Sequence, residues 1–261
     1  MSEKASAHQF EERWTSLINS QSIEELTAFL SAHSNLPGPR ANLGLAFKAA
    51  ELILRDWQIH EGLLRELLDF WAHSMEEYLI VCRNISLGYI LSEYDDNVYE
   101  EVLFGQNFSP MWRAREAVTL GLQRTLRGRP EFALNLLENW NESGDSIILR
   151  NTLMVLADPP NLADKDQVRN SLRTYIFEAM DIVKRSPQEE KRGDNYKLLK
   201  KSLGFVLSVA AVHDNRVVKD MENWAMADVK EWKDLVRSNI GKSRFRKAYP
   251  VEYERIKLAL A

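Results

Sequence analysis

The chain has 261 residues, 45% of them hydrophobic, a formal net charge of −4, and only 11 Gly and 8 Pro. So few chain breakers, against ordinary usage of about 12% for the two together, exclude a loop-rich or disordered chain and predict helix nearly throughout. One cysteine, Cys82, excludes an intramolecular disulfide and fits a reducing compartment.

In chain order, the pattern predicts a helix over about Glu3 to Asn19 and another over Ser22 to Ala32, which stops before the breaker Leu36-Pro37-Gly38-Pro39. Paired helices follow, at 41–56 with 60–72, 76–92 with 95–104 and 110–127 with 130–141. The series continues with 145–157 and 164–185, then 194–213 and 216–226, then 228–240 and a tail helix after Pro250. Pro110 is expected at a first helical position, and Asp145, Asp164 and Asp194 are expected N-caps. Residues 186–193 read as a charged surface loop. Phe205 to Val212 is the longest apolar run, far short of the roughly 20 residues that span a bilayer. Met1 to Trp14 has no apolar signal core. The expectation is a cytoplasmic, monomeric protein with no membrane partner.

The first helices of these pairs start near Ala41, Glu76, Pro110, Asp145, Asp194 and Asp228, at steps of 35, 34, 35, 49 and 34 residues. A fixed period with two helices per unit is the mark of an α-solenoid. The predicted fold is all-α, a right-handed α-solenoid of about six HEAT-like helix pairs. It reads as one domain over 1–261, with capping helices over 1–36, repeats over 37–240 and a C-terminal cap over 241–261. Second helices close on Leu68 to Trp71, Leu137 to Trp140 and Met221 to Trp224, where the i, i+3 apolar pair predicts core packing. Each is followed, in the next first helix, by Arg83-Asn84, Arg150-Asn151 or Arg237-Ser238-Asn239. Arg83 and Arg150 are lone charges within apolar stretches, and Glu116 holds the corresponding place between them, at steps of 33 and 34. They read either as a ladder of ion pairs between repeats or as the lining of a ligand groove.

Charge is uneven along the chain. Residues 1–109 carry 7 Lys and Arg against 17 Asp and Glu, whereas residues 110–261 carry 27 against 21. The basic residues cluster at Arg113 to Arg129, Lys197 to Lys201 and Lys242 to Lys247. Clustered Lys and Arg are the footprint of phosphate neutralisation, or an ordinary solvated surface. His8, His33, His60, His73 and His213 are scattered without metal-ligand spacing, and no phosphate-loop or nucleophile-elbow pattern is present. No metal or cofactor is expected.

Met111 to Ala117, Pro130-Glu131 to Trp140, Ile148-Leu149-Arg150, Lys200 to Ser208 and Val236 to Lys242 before Tyr249-Pro250 resemble the HEAT-like-repeat DNA alkylation-repair proteins, the alkylpurine DNA glycosylase superfamily. The resemblance spans roughly residues 76–250 and is patchy. It implies an aromatic and acidic cleft that holds a cationic alkylated base while the weakened glycosidic bond breaks. Trp112 and Glu116 match a Trp with an acid four residues later, Arg150 matches an Arg one repeat on, and Phe205 falls where a second Trp would stand. Glu116 stands for the usual Asp, Met111 and Arg113 replace an accompanying Trp and Asp, and Ser208 replaces a trailing Arg.

The resemblance therefore implies duplex DNA as partner. Trp112, Arg113, Arg150, Lys201, Phe205, Arg237 and Lys242 would bind it, Glu116 would be the catalytic candidate, and glycosylase activity is left open. The alternative is a non-enzymatic scaffold that binds a protein partner along its groove.

Overall fold

In a computed structural model, the described residues are 3–163 and 165–261. They form fifteen α-helices and no strand. The cap expected of Asp164 lies outside them. The chain divides into two compact units, Met1–Arg129 and Pro130–Ala261.

Unit 1 holds α1 (Glu3–Asn19), α2 (Ile23–Ala32), α3 (Leu43–Ala72), α4 (Glu77–Leu91), α5 (Asn97–Gln106) and α6 (Trp112–Gly128). The pair expected at 41–56 and 60–72 is one helix, α3, bent at His60, where φ is −123° and ψ is 26°. The helical period carries on through this bend, so no loop separates the two halves. Helix α6 starts two residues after Pro110, with Met111 as its N-cap. Ser22, Asn42 and Asp96 cap α2, α3 and α5 by accepting backbone N–H bonds.

Helices α1, α3, α4 and α6 pack side by side in that order, and α4 against α6 is the most extensive of these contacts. Two glycines make it possible. A Cβ on Gly88 would lie 2.2 Å from the Gly121 carbonyl carbon, and one on Gly121 would lie 2.7 Å from the Asn84 oxygen. Thr125 Oγ1 donates to the Gly88 carbonyl at 2.8 Å across this seam.

Large aromatics fill the unit 1 core. Trp14 and Trp71 are fully buried, and their indole N–H groups donate to Asp56 and Thr27. Cys82 is buried, and burial pushes its thiol well above the usual value.

Unit 2 holds α7 (Pro130–Asn141), α8 (Ser146–Leu156), α9 (Pro159–Leu162), α10 (Asp166–Arg185), α11 (Asp194–His213), α12 (Asn215–Met226), α13 (Lys230–Ile240), α14 (Ser243–Ala248) and α15 (Pro250–Ala259). Asp145 caps α8 as expected, accepting from the Ile147 N–H. Gly193, not Asp194, is the N-cap of α11, and Asp194 sits in the first turn, where a carboxylate favours the helix dipole. The charged segment before it contains a short 3-10 turn, Glu190–Arg192, tied down by a Lys191–Glu231 ion pair. Helices α8, α11 and α13 pack in chain order, with α10 against α8 and α11, and α12 against α11 and α13. Trp140 and Trp224 are buried, as Trp71 is in unit 1.

The Arg-Asn signature proves to be about the asparagine. Asn84, Asn151 and Asn239 are each no more than 2% exposed. Asn84 Nδ2 donates from α4 to the Ala114 carbonyl of α6 at 3.1 Å. Asn239 Nδ2 donates from α13 to the Leu203 carbonyl of α11 at 2.8 Å, and its Oδ1 accepts from the Ser208 N–H at 2.9 Å. In both units a buried amide bolts one first helix to its neighbour, which a hydrocarbon of that size cannot do.

Candidate nucleic-acid interface

The N-terminus of α3 anchors one wall of the site. Asn42 Oδ1 accepts from the Leu45 N–H, Asn42 Nδ2 donates to the His33 carbonyl, and the Asn42 carbonyl accepts from the buried Tyr78 hydroxyl of α4 at 2.7 Å. The Pro39–Leu43 segment is thereby held against α4 and α6. On α6, Trp112, Glu116 and Leu120 recur every four residues and share one face. They meet Val81 of α4 and Leu43 of α3 around a cleft of about 240 Å³, with Arg40 and Arg113 at its edge.

Trp112 is 53% exposed. Arg113 is held beside it by donating to Glu77 at 2.8 Å and to the Gly38 carbonyl at 3.2 Å, which sets its guanidinium 4.5 Å from the Trp112 ring centre. Arg113 is therefore a strut and an aromatic partner, not a mobile cation. Arg40 is exposed and makes no ion pair among the described residues.

Helix α4 turns about 200° between Val81 and Arg83, so Arg83 does not share the cleft with Glu116. It is a half-buried cation near Asp69 and Tyr99, with its charge disfavoured by desolvation. It forms no ion pair among the described residues, so the ladder expected to start at Arg83 does not. Two further arginines of the 113–129 cluster are also committed locally. Arg115 donates to the Ser109 carbonyl, and Arg129 pairs with Asp95 at 2.6 Å.

Arg150, Lys201, Phe205, Arg237 and Lys242 belong to unit 2. Lys201 and Phe205 lie one turn apart on α11, both exposed. The Arg244 guanidinium of α14 stands 4.4 Å over the Phe205 ring. Arg237 is engaged by Asp234 at 3.0 Å and the Leu260 carbonyl at 3.1 Å. Lys242 is the N-cap residue of α14, and Arg150 is half-buried on α8. The expected residues thus form two local groups, Trp112, Arg113 and Glu116 in unit 1 and Lys201 with Phe205 in unit 2.

Sequence reasoning missed Arg40, Leu43, Val81 and Leu120 as lining residues. Leu120 was available from the i, i+4 spacing after Glu116, but the others depend on which helices become neighbours. Among the described residues no group of three or more His, Cys, Asp or Glu could hold a metal ion, and no helix is long and apolar enough to cross a membrane. No model of a known protein family matches the chain, and no curated protein matches its sequence.

Proposed function

We propose that this chain is a right-handed HEAT-like α-solenoid of about six helix pairs that binds duplex DNA, with the Trp112–Glu116 cleft taking a planar, cationic alkylpurine base. The observation that carries this reading is the meeting of an exposed indole and a carboxylate in one mainly apolar cleft. A ring cation gains from the indole face and from a nearby negative charge. Arg40, at the rim, suits an adjoining phosphate. Lys201 and Arg244, beside Phe205, offer a second basic and aromatic contact. Arg113 already covers part of the Trp112 ring, so a base would stack beside the guanidinium. The internal commitment of Arg113, Arg115, Arg129 and Arg237 favours the second reading, a scaffold whose groove takes a protein segment.

Trp112→Ala and Glu116→Gln separate these readings in one assay of duplex binding and methylated-purine release. Loss of the indole is expected to weaken binding to a 3-methyl- or 7-methylpurine duplex about tenfold, the scale of one base–aromatic stack. The Gln variant is expected to bind but to lose whatever base release the native protein shows. Alkylated-duplex affinity that is unchanged in Trp112→Ala contradicts the assignment of this cleft.

A further inference from the structure

The first-helix face of unit 1 carries a second cleft, further along the same helices. It has a volume of about 610 Å³ and lies between α3, α4 and α6, lined by Arg55, Tyr89, Glu93, Arg124 and Arg127 among others. Two of its charges are spoken for. Arg55 donates to Asp56 at 2.8 Å, and Glu51, also in the wall, pairs with Lys48 at 3.0 Å. Arg124 differs from both. Its Nε is buried with no partner, and the side chain makes no hydrogen bond or ion pair among the described residues. Its guanidinium stands 5.4 Å from the Tyr89 ring centre, so the aromatic face holds the fork without using its donors. A guanidinium carries five N–H donors in a fixed plane, and a donor left buried and unmet, as the Arg124 Nε is, is costly.

We propose that this cleft is a phosphate-binding site in which Arg124 is the principal ligand. Arg124 offers a planar fork that two phosphate oxygens can accept from together. Arg127 adds positive charge on the same wall. The Tyr89 hydroxyl is kept protonated by burial and serves as a further donor. Glu93 is exposed and has no ion pair among the described residues, so it is the carboxylate that competes with an incoming anion. The phosphate can come from a nucleic-acid backbone or from a small phosphorylated molecule. The assignment stands on the cleft itself and does not require a base in the Trp112 cleft.

The test is calorimetric titration of the full chain at low salt with inorganic phosphate, and separately with a short undamaged duplex. Native protein, Arg124→Gln, Arg124→Lys, Glu93→Gln and Trp112→Ala are compared, and circular dichroism confirms that each is folded. Arg124→Gln is expected to lose about tenfold in phosphate affinity, the size of one charge-assisted bond. The Lys variant should recover part of it, and Glu93→Gln should bind more tightly than native. Trp112→Ala should bind phosphate as native does, so failure of the base reading and failure of this one are read separately. A parallel loss of duplex binding in Arg124→Gln names the backbone as the source. A loss confined to phosphate names a small ligand. Phosphate affinity equal to native in both Arg124→Gln and Glu93→Gln overturns the site.

Discussion

Gly88→Ala is expected to destabilise the protein by about 3 kcal/mol, at the upper end of ordinary overpacking costs. At this chain length that corresponds to a melting temperature lower by about 6 to 12 °C. The reason is geometric. The added methyl would stand 2.2 Å from the Gly121 carbonyl carbon, 2.4 Å from its Cα and 2.4 Å from its oxygen, all backbone atoms of the facing helix. No rotamer change relieves such a clash, so α4 and α6 must separate. Separation stretches the Thr125–Gly88 and Asn84–Ala114 bonds together. Gly105→Ala is the control. A Cβ there meets nothing within 4 Å, and alanine favours helix over glycine by up to about 1 kcal/mol. Equal melting temperatures for the two variants would mean that the α4–α6 seam is not as close as described.

Asn239→Ala is expected to cost about 3 kcal/mol, measured by urea denaturation, because it removes bonds at a fully buried position. The amide donates to the Leu203 and Leu235 carbonyls and accepts from the Ser208 N–H. Its loss leaves a small cavity and withdraws a donor shared by two helices. Asn84→Ala is expected to cost less, because the Asn84 oxygen has no partner and one of its two amide bonds is long, at 3.3 Å to Gln106. The order of the two losses is the prediction. If Asn84→Ala proves the more damaging, the amides do not carry the inter-helix load assigned to them.

The helical scheme was readable because it rests on local signals. The breaker at Pro37, the Asp145 cap and the proline that opens α15 each act within one turn. The signals failed where neighbours decide. The pattern places a break at 57–59 and a new helix from His60, yet the chain stays helical through those residues and only bends, at His60. In the Arg-Asn signature, Arg83 and Arg150 are the odd charges in apolar stretches. Helical phase turns Arg83 away from Glu116, and it is the asparagine that meets the next helix.

The same holds for the site. Trp112 and Glu116 share a face because four residues are about one turn, which sequence alone gives. That Arg113 is bound to Glu77 and Gly38, 36 and 75 residues away, follows only from packing. A run of basic residues therefore overstated the cations available to a ligand.

Duplex binding by this chain is tested most directly by salt titration of the native protein against a short duplex, with and without an abasic-site mimic. Binding is expected at low salt and should fall steeply and linearly on a log–log plot, by about 0.9 log units per phosphate contacted for each tenfold rise in salt. The duplex that carries the mimic should bind more tightly, because an unstacked position can open into the Trp112 cleft. Absence of duplex binding at low salt would rule out a nucleic-acid ligand and make a protein segment the occupant of the groove.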